Sequence, residues 1–104
     1  MIKGDVLIMR MTTEIEDMHE QFSEKTWYIR HLIWAAKIAN GEIELDTVAD
    51  RQCFETAQQT AKELEEHYGT EHLRCTEQEY FIRLGQLSAL AWVLGADWDE
   101  SFDT

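Results

Sequence analysis

The sequence predicts an all-α, bundle-like single domain of three main helices spanning residues 1–104, and three observations carry that reading. Proline is absent and glycine occurs five times in 104 residues. That leaves few of the residues that punctuate a turn-rich sandwich. Apolar side chains recur three, four and seven apart along three separate stretches, the period of a helix with one buried face. Each stretch opens near a Thr or Asp and closes at a glycine, the start and stop chemistry of helices.

The first helical segment runs from about Thr13 to about Asn40. Thr12 or Thr13 can cap it, and Glu14, Glu16 and Asp17 place negative charge in its first turn. Asn40-Gly41 stops it. Its primary stripe is Ile15, Met18, Phe22, Ile29, Ile33 and Ala36. Ahead of it, residues 1–11 form a separate segment. Met11-Thr12-Thr13-Glu14 resembles a translation start just before a helix. Residues 1–10 therefore read either as a short native strand or as an extension upstream of that start.

The second segment follows the connector Glu42-Ile43-Glu44-Leu45. Asp46 or Thr47 caps it, with Asp50 placed as in a capping box, and it runs to about Tyr68 before Gly69. Phe54, Ala57, Ala61, Leu64 and Tyr68 line one face. The third segment follows a link at Thr70–Cys75 and runs from about Glu77 to Leu94, with Thr76 and Glu79 as its capping box and Gly95 as its stop. Tyr80, Leu84, Leu87, Ala91 and Leu94 form one stripe; Phe81, Gly85, Ser88, Ala89 and Trp92 form another. A helix apolar nearly all round is expected to be buried on more than one side, so this helix is expected at the centre. Gly85 and Ala89 would let a neighbouring backbone approach closely. Residues 96–104 are an acidic tail with Trp98 and Phe102 embedded.

Charge bounds the function. The chain carries 21 Asp and Glu against 9 Lys and Arg, a formal net charge of −12. Nucleic acid and anionic membranes need a basic surface, so neither is expected as a direct partner. No apolar run approaches the ~20 residues that span a bilayer, and the N-terminus lacks a signal-peptide pattern. The expected location is the cytoplasm. Cys53 and Cys75 are expected to be reduced and buried, since a stapled secreted domain usually carries four or more cysteines.

The first segment has a second face. At 100° per residue, Trp27, Trp34 and Ile38 lie roughly opposite the Ile15–Ile33 stripe, with His31 beside them. Glu16, Glu20 and Glu24 occupy the same side nearer the start. Like charges at i, i+4 cost roughly 0.2–0.5 kcal/mol per pair. Tryptophan is enriched among binding hot spots. A three-helix chain has few elements to cover two-sided helices, so a homodimer is expected, with Trp27 and Trp34 at an interface. Glu63, Glu65 and Glu66 form a second acidic cluster. Asp97, Asp99, Glu100 and Asp103 form a third, where Trp98 and Phe102 either anchor a partner or fold back on the third helix.

Small acidic single-domain chains of this composition resemble inhibitor proteins of phages and mobile elements, DNA mimics and anti-CRISPR proteins among them. The resemblance is one of composition over the whole chain. It implies a non-enzymatic interaction module that occludes a basic nucleic-acid-binding site on a partner protein. The partner-binding residues expected on this reading are Glu16, Glu20, Glu24, Trp27, Trp34, Asp97, Trp98, Asp99 and Glu100. Charge would set the approach and aromatics the residence time.

Two other readings compete. One is a small metal- or ligand-binding bundle. His67, His72 and Cys75 fall close together beside Glu66 and Glu71, but Gly69 breaks the helix between the histidines and no fourth ligand is evident. Glu16-x-x-His19 has the di-iron spacing but no second copy. The other is an acidic housekeeping subunit adapted to high salt. The sequence contains no Gly-rich phosphate loop and no nucleophile elbow, so no catalytic residue, no metal ligand and no cofactor is assigned.

Overall fold

The computed structural model describes residues 9–98. Four helices follow in chain order: α1 (Thr12–Ala39), α2 (Val48–Tyr68), α3 (Thr70–Leu73) and α4 (Glu77–Val93). The all-α class is as expected, and no strand occurs among the described residues. The strand considered for residues 1–10 falls almost wholly outside them; Met9 and Arg10 carry no regular structure.

The caps explain where the helices begin. Thr47 accepts from the backbone N–H of Asp50 at 3.0 Å. Thr76 accepts from Glu79 N at 3.1 Å, and Glu79 accepts in return from Thr76 N at 2.9 Å. Both satisfy donors that a helix start leaves orphaned. α1 starts at Thr12, so neither expected threonine caps it; Met11 holds the cap position, and its N–H donates to Glu14 at 3.2 Å. Gly69 ends α2 at φ 85°, a conformation that L side chains rarely adopt. The chain then re-enters a helix at once: the expected link at Thr70–Cys75 contains the single turn α3, whose Leu73 is fully buried.

The central helix is α1, not α4. α2 packs antiparallel on one side of α1: Tyr28 bonds to Glu65, His31 to Gln58, and Tyr68 reaches back to Glu24. α4 packs antiparallel on another side, with Arg30 Nε donating to Tyr80 at 3.1 Å near one end and Ile15, Met18 and Leu90 together near the other. Among the described residues α2 and α4 do not pack on each other. α1 is a spine with two apolar faces, which is why both the Ile15–Ile33 stripe and the Trp27–Trp34 stripe exist.

The main core is small. Tyr28, Ala61, Leu64 and Leu73 are buried together, with Trp27, Ile29, Leu32 and Tyr68 packed against them. On α4 only Leu87 and Ser88 are buried. The radius of gyration is 17.3 Å and the extents are 61 × 30 × 25 Å; a compact domain of this length has about 13 Å. An arrangement this open leaves much of α4 uncovered. Phe81, Ile82, Trp92 and Val93 are each more than half exposed.

Two further expectations change. Met18, Ile33 and Ala36 of the first stripe are exposed, while Ile15, Phe22 and Ile29 are half-buried. Cys53 is exposed and Cys75 half-buried, both unpaired.

Candidate functional site

The N-terminal half of α1 and the C-terminal half of α2 enclose an open acidic groove of about 530 Å³. α1 supplies Asp17, Glu20, Gln21 and Glu24; α2 supplies Thr60, Glu63, Leu64, His67 and Tyr68. Positions 17, 20 and 24 are three and four apart, so they share one face and extend about 10 Å along the axis. Antiparallel packing brings positions 60–68 of α2 opposite them. Sequence spacing alone separates Glu63 from Glu20 by more than forty residues; the helix pairing unites them.

Two tyrosines clamp the seam beneath this charge. Tyr68 Oη donates to Glu24 at 2.7 Å, and Tyr28 Oη donates to Glu65 at 2.5 Å. Burial pushes the Tyr68 phenol up to about 12, and the Glu24 hydrogen bond and the charges of Glu24 and Glu20 push the same way. The Tyr28 phenol is raised by burial first and by Glu65 next, with Arg74 opposing. Both phenols are held as donors because burial first, and the carboxylates beside them next, disfavour a negative charge there. Lys25 Nζ lies 5.1 Å from the Tyr68 ring centroid, in cation–π range.

An apolar shoulder adjoins the acid. Trp27 lines a shallow depression of about 370 Å³ with Ser23, Glu24, Thr60 and Leu64. Glu24, Thr60 and Leu64 are common to both concavities. Carboxylates, an apolar floor at Leu64 and the half-buried Trp27 therefore lie side by side. Such a surface suits a guanidinium or ammonium head carried on an alkyl stem.

Behind Trp27, His31 is buried and lies flat against it, with ring centroids 5.2 Å apart and planes 8° apart. Phe54 covers the other side at 5.9 Å, and Trp34 meets the ring edge-on at 6.0 Å. His31 Nε2 pairs with Gln58 Oε1 at 2.6 Å, and its Nδ1 is buried with no hydrogen-bond partner. Trp34 also packs edge-to-face on Phe54 at 5.1 Å. It faces a different depression, with Ile43, Glu44, Leu45, Asp50 and Cys53.

The residues expected to bind a partner are thus divided. Glu20, Glu24 and Trp27 come together at the groove. Glu16 is exposed on α1 but outside its lining. Trp34 sits two turns away in the α1–α2 seam. Asp97 is exposed, and Trp98 turns back on Trp92 at 5.9 Å, edge-to-face. Asp99 and Glu100 lie outside the described residues. Asp17, Glu63 and Tyr68 line the groove but are not among the residues the sequence assigns to partner binding; the 17–20–24 spacing is the available signal for the first.

Among the described residues, no three His, Cys, Asp or Glu side chains stand together in a way that could hold a metal ion. His72 instead approaches Glu71 at 3.8 Å, and His67 packs edge-on against Tyr68 at 4.5 Å. Among the same residues no helix is long and apolar enough to cross a membrane. Comparison of the chain with protein-family models, with curated proteins and with solved structures finds no match.

Proposed function

We propose that this chain is a non-enzymatic interaction module whose acidic groove receives a basic surface of another protein and so competes with nucleic acid for it. The observation that carries this reading is the meeting of Asp17, Glu20, Glu24 and Glu63 in one open groove. Trp27 and Leu64 lie alongside. An arginine or lysine of the partner places its charge among the carboxylates and its stem on the Leu64–Trp27 surface. The Tyr68 hydrogen bond fixes Glu24, so less rotamer freedom is lost on binding.

The net charge of −12 supplies the long-range part. It raises the encounter rate with a basic partner and repels nucleic acid from the complex. The complex is expected to weaken as salt rises, because exposed charges more than about 10 Å apart are screened at 0.1 M ionic strength.

The test is capture from the lysate of the source cell or its host, eluted by stepping the salt. A basic, nucleic-acid-handling protein released by salt supports the proposal when Asp17→Asn/Glu20→Gln/Glu63→Gln fails to capture it. Equal capture by that triple variant, or release only by denaturant, contradicts it.

A further inference from the structure

We infer that the outer face of α4 is the contact between two copies of this chain, packed antiparallel about a two-fold axis that passes between Gly85 and Ala89. The inference is independent of the acidic groove, which lies on the far side of α1 and on α2.

The inner side of α4 is spent within the chain. Leu87 and Ser88 are buried, and Tyr80, Leu84, Ala91 and Leu94 are half-buried. The opposite side carries Phe81, Ile82, Gly85, Ala89, Trp92 and Val93, all exposed, with the exposed Gln86 at its edge. Among the described residues no other helix covers it, Trp98 packs edge-on against Trp92 at its C-terminal end, and no carboxylate lies between Phe81 and Val93 on that side. In a chain of net charge −12, this is a strip where a second copy can approach without setting acid on acid at the centre.

The order of residues on the strip is self-complementary. Reading from Phe81, with Gln86 at the edge left aside, its apolar and small residues run large, large, small, small, large, large. The sums 81 with 93, 82 with 92, and 85 with 89 are equal, so one antiparallel two-fold satisfies all three pairs. Phe81 then meets Val93 of the second copy, Ile82 meets Trp92, and Gly85 meets Ala89. A two-fold interface needs this property: each residue's partner must have it as partner in return. A heterologous partner would place no such constraint on the sequence.

The centre suits close approach. A Cβ built on Gly85 meets nothing within 4 Å. Glycine inside a helix is a poor helix former, and nothing packed on it within the chain requires it. Two helices crossing at Gly85 and Ala89 can approach to the short end of the interaxial range. A depression lined by Glu77, Gln78, Phe81 and Ile82 lies at one end of the strip, about 620 Å³ in volume. The pairing brings Trp92 of the second copy to it. Four large side chains more than half exposed, with the small residues between them, amount to about 500 Å² per copy. A pair buries about 1,000 Å², the lower bound of a specific interface. Trp98, packed on Trp92, extends the strip at its C-terminal end.

The experiment is sedimentation equilibrium of the full chain across micromolar concentrations, at low and high salt. The wild type is expected to form a dimer that tightens with salt, because an apolar seam joins two like-charged chains. Ala89→Arg, an exposed substitution that leaves the helical signal intact, is expected to weaken the dimer about tenfold or more. Gly85→Ala is expected to raise the thermal midpoint of the monomer while weakening the dimer. In a Cys53→Ser background, mixing Phe81→Cys chains with Val93→Cys chains should give an oxidative cross-link that Phe81→Cys chains alone do not give. A monomer at every concentration overturns the inference. So does a dimer indifferent to Ala89→Arg, which would put the contact elsewhere, such as Trp27 and Trp34. Partner capture weakens with salt and self-association strengthens, so failure of one is distinguishable from failure of the other.

Discussion

Tyr68 and Glu24 join α2 to α1 through a 2.7 Å hydrogen bond that also lines the acidic groove. One interaction thus both holds the seam and fixes a carboxylate of the site. Tyr68→Phe is expected to cost about 1 kcal/mol in urea unfolding, the worth of an ordinary hydrogen bond. It should also loosen Glu24 and weaken partner capture without removing it.

Alkaline pH should open the same seam. The Tyr68 phenol rises from 10.0 to about 12 on folding, and Tyr28 shifts in the same direction. A group whose folded value is raised contributes its full stability below the unfolded value. That contribution is lost as pH climbs through the folded value. Stability is therefore expected to fall between pH 10 and about 12. Ultraviolet titration of tyrosinate should show late-ionising absorbance that diminishes in Tyr68→Phe and again in Tyr28→Phe.

His31 is the keystone of the aromatic stack between Trp27 and Phe54. His31→Ala empties a buried site and is expected to cost about 2–4 kcal/mol. Tryptophan fluorescence should report the loss, since both Trp27 and Trp34 touch the ring. For the same reason, Trp34→Ala should lower the unfolding midpoint.

The α4 cap predicts a local acid response. Glu79 holds its carboxyl below the usual range, through its bond from the Thr76 backbone first and the Thr76 hydroxyl next. A depressed carboxyl contributes stability above its unfolded value and loses it as pH falls through the folded value. Thr76→Ala should return the Glu79 titration, followed by carbonyl NMR, toward the ordinary carboxylate range. Loss of the cap itself should cost about 1 kcal/mol.

The cysteines should react unequally. Cys53 is exposed, whereas Cys75 is half-buried with Arg83 Nη1 3.8 Å from its sulfur. A thiol reagent should label Cys53 first and Cys75 in a slower phase. Cys53→Ser should remove the fast phase alone.

Much of the fold was legible because its signals are local. Thr47, Thr76, Gly41, Gly69 and Gly95 mark helix ends by chemistry confined to a few residues. The two faces of α1 were legible from spacing, but what covers each was not. An apolar stripe states that something packs there and leaves open whether it is a neighbouring helix or another chain. Trp27 and Trp34 were expected to face outward, and α2 occupies that side through His31, Gln58 and Phe54. The second face of α4 was expected to be buried and is open. Tyr28, the most buried large side chain, belongs to no aliphatic stripe. Its burial rests on a hydroxyl finding Glu65 thirty-seven residues on, a pairing only the folded chain reveals. Glu20 was legible as acidic surface, but its meeting with Glu63 was not, for the same reason.

The most direct measurement is an equilibrium competition between this chain and labelled nucleic acid for the captured basic protein. Wild type is expected to displace the nucleic acid, with a midpoint that moves to higher concentration as salt rises. Asp17→Asn/Glu20→Gln/Glu63→Gln should need at least about tenfold more protein, a shift of about 1.4 kcal/mol. Simultaneous binding of the chain and the nucleic acid, or an unchanged midpoint for the triple variant, would contradict the account.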